Sequence, residues 1–324
     1  METKNIAGIS MKGGRRDNFY LSLIEYYADQ DRWFLRSLLK VKDGSSTIES
    51  FEKKKQELEG DEVIRAWIEE YNLHHLVVDI PLSYPVYHEQ SKVRQEEEMP
   101  HLKKVESLIE ELLETDRQIR EKNPKVYERE RNLEDLIDVT RDILDKRPDE
   151  HILSRSFKRR LKKGFLPYWN RTLDLWVWLH YYDQLLDLFN VSFDSFGNTS
   201  LMNLFRFDYL RSFFPDDLKL YEGNYHIMLI ELLRAKIIHK KDIMNLSDLD
   251  LGVEARLDII KKIEKHLKIF IYDHDLEILV KKPRAFESFI LAVTGRNMHL
   301  SEVQKLPEWT LPERTRFIAP KFST

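Results

Sequence analysis

Three acidic residues stand where a chain could do chemistry with a divalent cation. Asp79 closes the apolar run in "LHHLVVDIPLSYP" (73–85), with Pro81 just beyond it. Glu222 follows Leu218, Leu220 and Tyr221, where a strand-like run gives way to a helical one. Glu287 lies early in "RAFESFILAVTG" (284–295). Carboxylates gathered at strand ends are the usual holders of hard divalent cations, which take oxygen ligands from one or two acids, water and phosphate. Such ions can activate a water and stabilise the leaving oxygen of a phosphodiester. Each acid also has a plainer reading. Asp79 could cap the turn that follows, bonding backbone amides near Leu82 and Ser83. Glu222 or Glu287 could serve as a helix N-terminal charge.

A second candidate is the basic stretch "SRSFKRRLKKGFLPYWNR" (154–171). It carries Arg155, Lys158, Arg159, Arg160, Lys162 and Lys163, with Phe157, Phe165, Tyr168 and Trp169 interleaved. Cations among aromatics can follow a phosphate backbone and stack bases. The alternative is a helix C-terminus, where cations collect and Gly164 would serve as the cap.

The elements that must position these groups can be read from the pattern. "NIAGIS" (5–10), "FYLSLIEYY" (19–27) and "WFLRSLLKVK" (33–42) read as strands, the first two joined by the glycine-bearing loop "MKGGRRDN" (11–18). Asp43-Gly44 ends the third, and the Ser45-Ser46-Thr47 run offers N-caps for a helix expected from about Ile48 to Tyr71, with Gly60 as a point of interruption. That helix feeds a strand over 76–80, so the chain opens β-β-β-α-β, and a helical crossover makes the fourth strand parallel to its neighbour. Strand and helix follow again in 218–238, and 252–267 and 284–298 read as helices. In the last of these, Phe286, Phe289, Ile290 and Val293 mark the apolar face. Glu287 falls about 100° from its centre, able to reach a sheet edge without burial.

Between 86 and 150 the chain is charge-dense. Val105, Ile109, Leu112 and Ile119 recur at helical spacing, Asn123-Pro124 interrupts them, and Leu133, Leu136, Ile137, Ile143 and Leu144 resume the pattern. This predicts a helical hairpin inserted in the main fold, a natural surface for a protein partner. The expected organisation is a first part of the core over 1–85, the insertion over 86–150, and the rest of the core with additional helices over 151–324.

Composition narrows the classes. The chain has 324 residues, 42% hydrophobic, which supports a sizeable core. Lysine and arginine total 52 against 56 acids, so nucleic-acid contact has to come from a local patch. The absence of cysteine removes disulfides, thiolate metal sites and cysteine nucleophiles, and fits a reducing cytoplasm. The most apolar helical run (173–189) carries Asp174, Asp183 and Asp187, too short and too charged for a span of about 20 apolar residues. A soluble cytoplasmic protein with no membrane partner is expected. His74-His75 has no third ligand at metal spacing and no H-E-x-x-H occurs, "KGG" (12–14) lacks the rest of a P-loop, and no serine sits in G-x-S-x-G. "YDHDLE" (272–277) lacks the spacing of a calcium loop.

The order of these segments resembles the ribonuclease-H-like fold, and more narrowly a bacterial and archaeal family of predicted ribonuclease-H-like nucleases. "VVDIPLSYP" is similar to the family's "(I/V)DIPLGLP" segment. "IAGIS" resembles its opening "GID" strand, and "KLYEGNYHIMLIELL" its "VYEVYP" strand and helix. "RAFESFILAVTG" resembles its "D-x-x-D-A-x-x-A-x-x-A" helix, "RTRFIAP" its closing "GWIYVP", and "SRSFKRRLKKGFLP" its "R-x-C-(D/E)-x-x-L-x-x-x-G" helix and loop. The matches span the chain outside 86–150. The resemblance implies an α/β fold with a mixed sheet flanked by helices. It also implies a Mg²⁺- or Mn²⁺-dependent nuclease site with Asp79, Glu222 and Glu287 as catalytic metal ligands, and nucleic acid as partner. One departure bears on activity: the family's first-strand aspartate corresponds to Ser10 here. A hydroxyl is a far weaker ligand than a carboxylate, so a catalytically degenerate binding or scaffold module is the alternative expectation.

Overall fold

The computed structural model describes residues 4–11, 19–40, 45–49, 55–87, 99–132, 152–191 and 195–322. The chain forms two compact units. The first comprises Met1–Leu82, Thr199–Lys305 and Arg316–Thr324; the second comprises Ser83–Asn198 and Leu306–Thr315. The second unit therefore takes in the basic stretch as well as the charge-dense one.

The first unit is an α/β body built on a six-stranded mixed sheet. Its strands are β1 (Lys4–Ser10), β2 (Tyr20–Tyr27), β3 (Arg32–Lys40), β6 (His75–Val78), β7 (Lys219–Glu222) and β8 (Ile269–Phe270), in the order β7-β6-β1-β2-β3-β8. β1, β2 and β3 run antiparallel in succession. β6 lies parallel to β1 and β7 parallel to β6, as the helical crossover requires. Both faces of the central strands are covered, which is why β1 and β6 read as continuous apolar runs rather than alternating ones. Ala7, Ile9, Leu76 and Val78 join Val63, Ile64, Trp67 and Ile68 of helix α1 (Gly60–Glu70) in one core. Val77 packs the opposite way, with Leu291 and Ile318.

The expected helix from Ile48 begins instead at Gly60. Ser45–Glu49 and Lys55–Glu59 pair antiparallel as a separate hairpin, β4 and β5, with Ser45 opposite Glu59 and Glu49 opposite Lys55. Thr47 and Ile48 are β-branched and suit a strand, and pairing with Lys55–Glu59 settles the segment against the capping signal of the serines before them.

Helix α11 (Pro283–His299) positions part of the site. Pro283 starts it, where a missing N–H is harmless. It is buried continuously from Ala285 to Asn297, so the expectation that Glu287 would sit unburied at its flank is corrected. Small residues allow this depth. A methyl group on Gly8 of β1 would come within 2.3 Å of the Ala292 N and Ser288 O backbone atoms. Helix and strand thus touch backbone to backbone, and residues on both sides of the helix face protein.

The second unit is helical. Its elements include α2 (Pro100–Lys122), α3 (Pro124–Asn132), α4 (Arg155–Lys162), α5 (Thr172–Phe189) and α12 (Pro312–Thr315). Helices α6 (Ser195–Arg211), α7 (Tyr225–Arg234), α8 (Lys240–Met244), α9 (Leu251–Leu267) and α10 (Asp273–Lys281) complete the chain, and all but the start of α6 fall in the first unit. The break between α2 and α3 falls at Asn123-Pro124, as the sequence predicts. The buried seam of α2 is Leu102, Val105, Ile109, Leu112 and Asp116, so an acid takes the slot one turn before Ile119. The second arm of the expected hairpin (Leu133 to Leu144) lies outside the described residues.

Candidate functional site

The C-terminal ends of β1, β6 and β7 sit side by side at one edge of the sheet, because the strands are parallel neighbours and Ile9 pairs with Val78, which pairs with Glu222. One residue beyond the ladder, Ser10 and Asp79 meet. Asp79 accepts a hydrogen bond from the Met11 amide at 2.9 Å through Oδ1, and from the Ser10 hydroxyl at 2.8 Å through Oδ2. The same Ser10 hydroxyl lies 2.8 Å from Oε2 of Glu287, delivered by α11. Two of the three acids singled out by the sequence therefore converge on one serine.

The arrangement is under electrostatic tension. Ser10 is buried and its hydroxyl holds a single proton, yet it bridges two carboxyl oxygens. It can donate to only one of them. The other contact needs a proton on a carboxyl group or a cation beside the pair. Burial pushes the Asp79 carboxyl up to about 7, and the neighbouring Glu287 charge adds to this against the bonds from Met11 and Ser10. The Tyr225 phenol is held well above its ordinary range, first by burial and then by the Glu287 and Asp79 charges. Tyr225 thus keeps its phenolic proton. It opens α7, directly after Asn224, whose side chain caps that helix by accepting from the His226 and Ile227 amides.

Glu222 bonds the turn that follows β6. Its Oε2 accepts from the Leu82 amide at 3.0 Å, and its backbone bonds with Arg316 and Ile318. The turn amide expected to cap on Asp79 is thus bonded by Glu222. This acid ties the segment after β6 to the end of β7 and so fixes where Asp79 leaves the sheet.

Among the described residues, no group of three or more His, Asp and Glu side chains is arranged to hold a metal ion. The donor set at Ser10 is two carboxylates and a hydroxyl, all hard oxygens. That suits a single Mg²⁺ or Mn²⁺ completed by water and phosphate rather than a fully protein-ligated ion.

The basic stretch divides in two. Lys158 is committed to Asp116, a fully buried acid that also accepts from the Tyr127 hydroxyl at 2.9 Å and the Leu153 amide at 3.0 Å. Arg160 is buried, with its guanidinium 4.0 Å from the Trp178 ring centre. Both positions follow from the amphipathic turn of α4, which buries Phe157, Arg160 and Leu161. Arg155, Arg159, Lys162 and Lys163 are exposed. Gly164 adopts a left-handed φ of 77° just past the helix, the cap conformation the sequence suggested.

Sequence reasoning missed Tyr225 and the buried Asp116–Tyr127–Lys158 cluster. The position of Tyr225 one residue after a capping Asn was the available signal for the first. The second had none, since its members lie far apart in the chain. Comparison with protein-family models, curated proteins and solved structures finds no match to this chain. Among the described residues, no helix is long and apolar enough to cross a membrane.

Proposed function

We propose that the chain is a divergent ribonuclease-H-like protein in which Asp79 and Glu287 hold one Mg²⁺ or Mn²⁺ and which acts on phosphodiesters, with nucleic acid as the partner class. The observation that carries this reading is the convergence of Asp79 and Glu287 on the Ser10 hydroxyl at 2.8 Å each. Two carboxylates held together at a sheet edge repel each other, and a cation relieves that repulsion. The strand order also supports it: an antiparallel triplet continued by parallel strands, with acids or their replacement at the strand ends.

When bound, the ion supplies Lewis acidity toward a phosphoryl oxygen. The chain supplies the rest. Asp79 and Glu287 present the oxygens, Ser10 sets their separation, and Glu222 anchors the turn through Leu82. Exposed Arg155, Arg159, Lys162 and Lys163 suit phosphate contact, whereas Lys158 and Arg160 serve the packing of their own unit.

Ser10 itself favours a second reading, a binding module that keeps the fold and the cation but turns over no substrate; the charged segment 86–150 is then the surface for a protein partner. Incubation of a panel of DNA and RNA oligonucleotides with Mn²⁺ separates the two. Cleavage that needs Mn²⁺ and disappears in Asp79→Asn supports the nuclease. Absence of cleavage by both the natural chain and Ser10→Asp supports the module. Cleavage by Ser10→Asp alone identifies the lost first-strand carboxylate as the cause.

A further inference from the structure

The turn that follows α4 is held rigidly from beneath while presenting apolar rings outward. Gly164 O and Asn170 Oδ1, at its two ends, accept from Nη1 and Nη2 of buried Arg160, at 3.1 and 3.3 Å. Asn170 Oδ1 also accepts from the Leu166 amide, and the Trp169 and Asn170 amides close the turn on Leu166 O at 2.8 Å. The Tyr87 amide donates to Pro167 O, and the Tyr87 ring meets Tyr168 edge-on at 4.7 Å. On this scaffold Tyr168 is 62% exposed and Trp169 45%. Rigid aromatic side chains left in water on a locked backbone are the signature of a pre-organised contact surface.

The exposed charges of α4 itself are all cationic. Arg155, Arg159 and Lys162 follow one another at four and three residues, so they share one face of α4, with successive cations about 6 Å apart along the axis or less. That stripe runs directly into the aromatic turn. We propose that the exposed face of α4 and the turn 164–170 bind a single-stranded nucleic acid, phosphates along Arg159, Lys162 and Lys163 and unpaired bases stacked on Tyr168 and Trp169. A linear row of cations ending in exposed rings matches a strand that carries charge along one edge and flat bases along the other. A duplex keeps its base faces covered and gains nothing from the rings. The inference shares the nucleic-acid partner of the proposed function but uses none of its cation-site residues.

The test is fluorescence anisotropy with the full chain, a labelled single strand of about 12 nucleotides, and the matching duplex, in chelator and about 50 mM salt. The single strand binds more tightly than the duplex. Tyr168→Ala and Trp169→Ala each weaken it at least about fivefold. Lys162→Gln lowers the slope of log affinity against log salt by about 0.7. All three side chains are exposed, and an unchanged urea midpoint confirms that the variants fold. No measurable binding, equal binding by duplex and single strand, or full affinity in Trp169→Ala overturns the proposal. Capture by phosphatidylserine vesicles that is lost in Trp169→Ala, without oligonucleotide binding, assigns the surface to membranes instead. Mn²⁺ binding by Trp169→Ala equals that of the natural chain. A chain that binds the strand but no Mn²⁺ refutes the cation site alone, and one that binds Mn²⁺ but no strand refutes this surface alone.

Discussion

Replacing Asp79 by asparagine should make the metal-free protein more stable above neutral pH, although it removes a carboxylate that accepts two hydrogen bonds. The folded Asp79 carboxyl titrates at about 7 against an ordinary 3.8. A carboxyl with a raised folded pKa binds its proton more tightly in the folded chain, so its contribution is fullest below pH 3.8 and is lost as pH rises through about 7. About three units at about 1.4 kcal/mol each set a ceiling of about 4 kcal/mol for the destabilisation by ionised Asp79. The amide in Asp79→Asn keeps every contact. Its oxygen accepts from the Met11 amide, its NH₂ donates to Ser10, and the Ser10 hydroxyl is then released to donate to Glu287. Allowing for local relaxation, we expect a gain of about 2 kcal/mol at about pH 8 and almost none at about pH 4. Urea unfolding with chelator at a series of pH values reads this directly. A variant that is destabilised by the same amount at every pH would refute the reasoning, because it would mean that the natural carboxylate is well stabilised where it stands.

Three further outcomes follow from packing and pairing. Gly8→Ala drives a methyl into the backbone of α11 and should destabilise by about 3 kcal/mol or more in urea, more than an ordinary overpacking substitution. Glu222→Gln weakens the bond to the Leu82 amide and should lower stability by about 1–2 kcal/mol, with faster hydrogen exchange at that amide. Asp116→Asn leaves Lys158 facing a neutral partner beside a buried tyrosine and should destabilise by about 3 kcal/mol, seen as a lower urea midpoint.

Much of the sheet is legible in the sequence because its central strands are rich in apolar and aromatic residues, with turn residues between them. β1, β2, β3, β6 and β7 each overlap a stretch read as a strand, with Lys4, Arg32 and His75 one residue ahead of the expected starts. The misread segment, 48–59, is instructive: Ser45 to Thr47 can cap a helix or join a strand, and only the partner strand Lys55–Glu59 decides between them. The site was half legible. Asp79 and Glu287 could be singled out by type and place, and they meet. The burial of Glu287 and the shared serine could not be foreseen, since both depend on how closely α11 approaches β1 at Gly8. Glu222 shows the limit most clearly. The sequence gives no sign of which amide an acid at the end of a parallel strand will bond, and Glu222 bonds that of Leu82. In the basic stretch the helical period already separates Arg160 from Arg155, Arg159 and Lys162, so the buried member could have been picked out from spacing alone.

The central claim is that Asp79 and Glu287 form a cation site, and calorimetric titration with Mn²⁺ at about pH 8, where Asp79 is ionised, tests it most directly. The account predicts that the natural chain binds one equivalent, and that Asp79→Asn and Glu287→Gln each weaken binding at least tenfold, about 1.4 kcal/mol. No heat from the natural chain at millimolar Mn²⁺, or equal affinity in all three proteins, would contradict it.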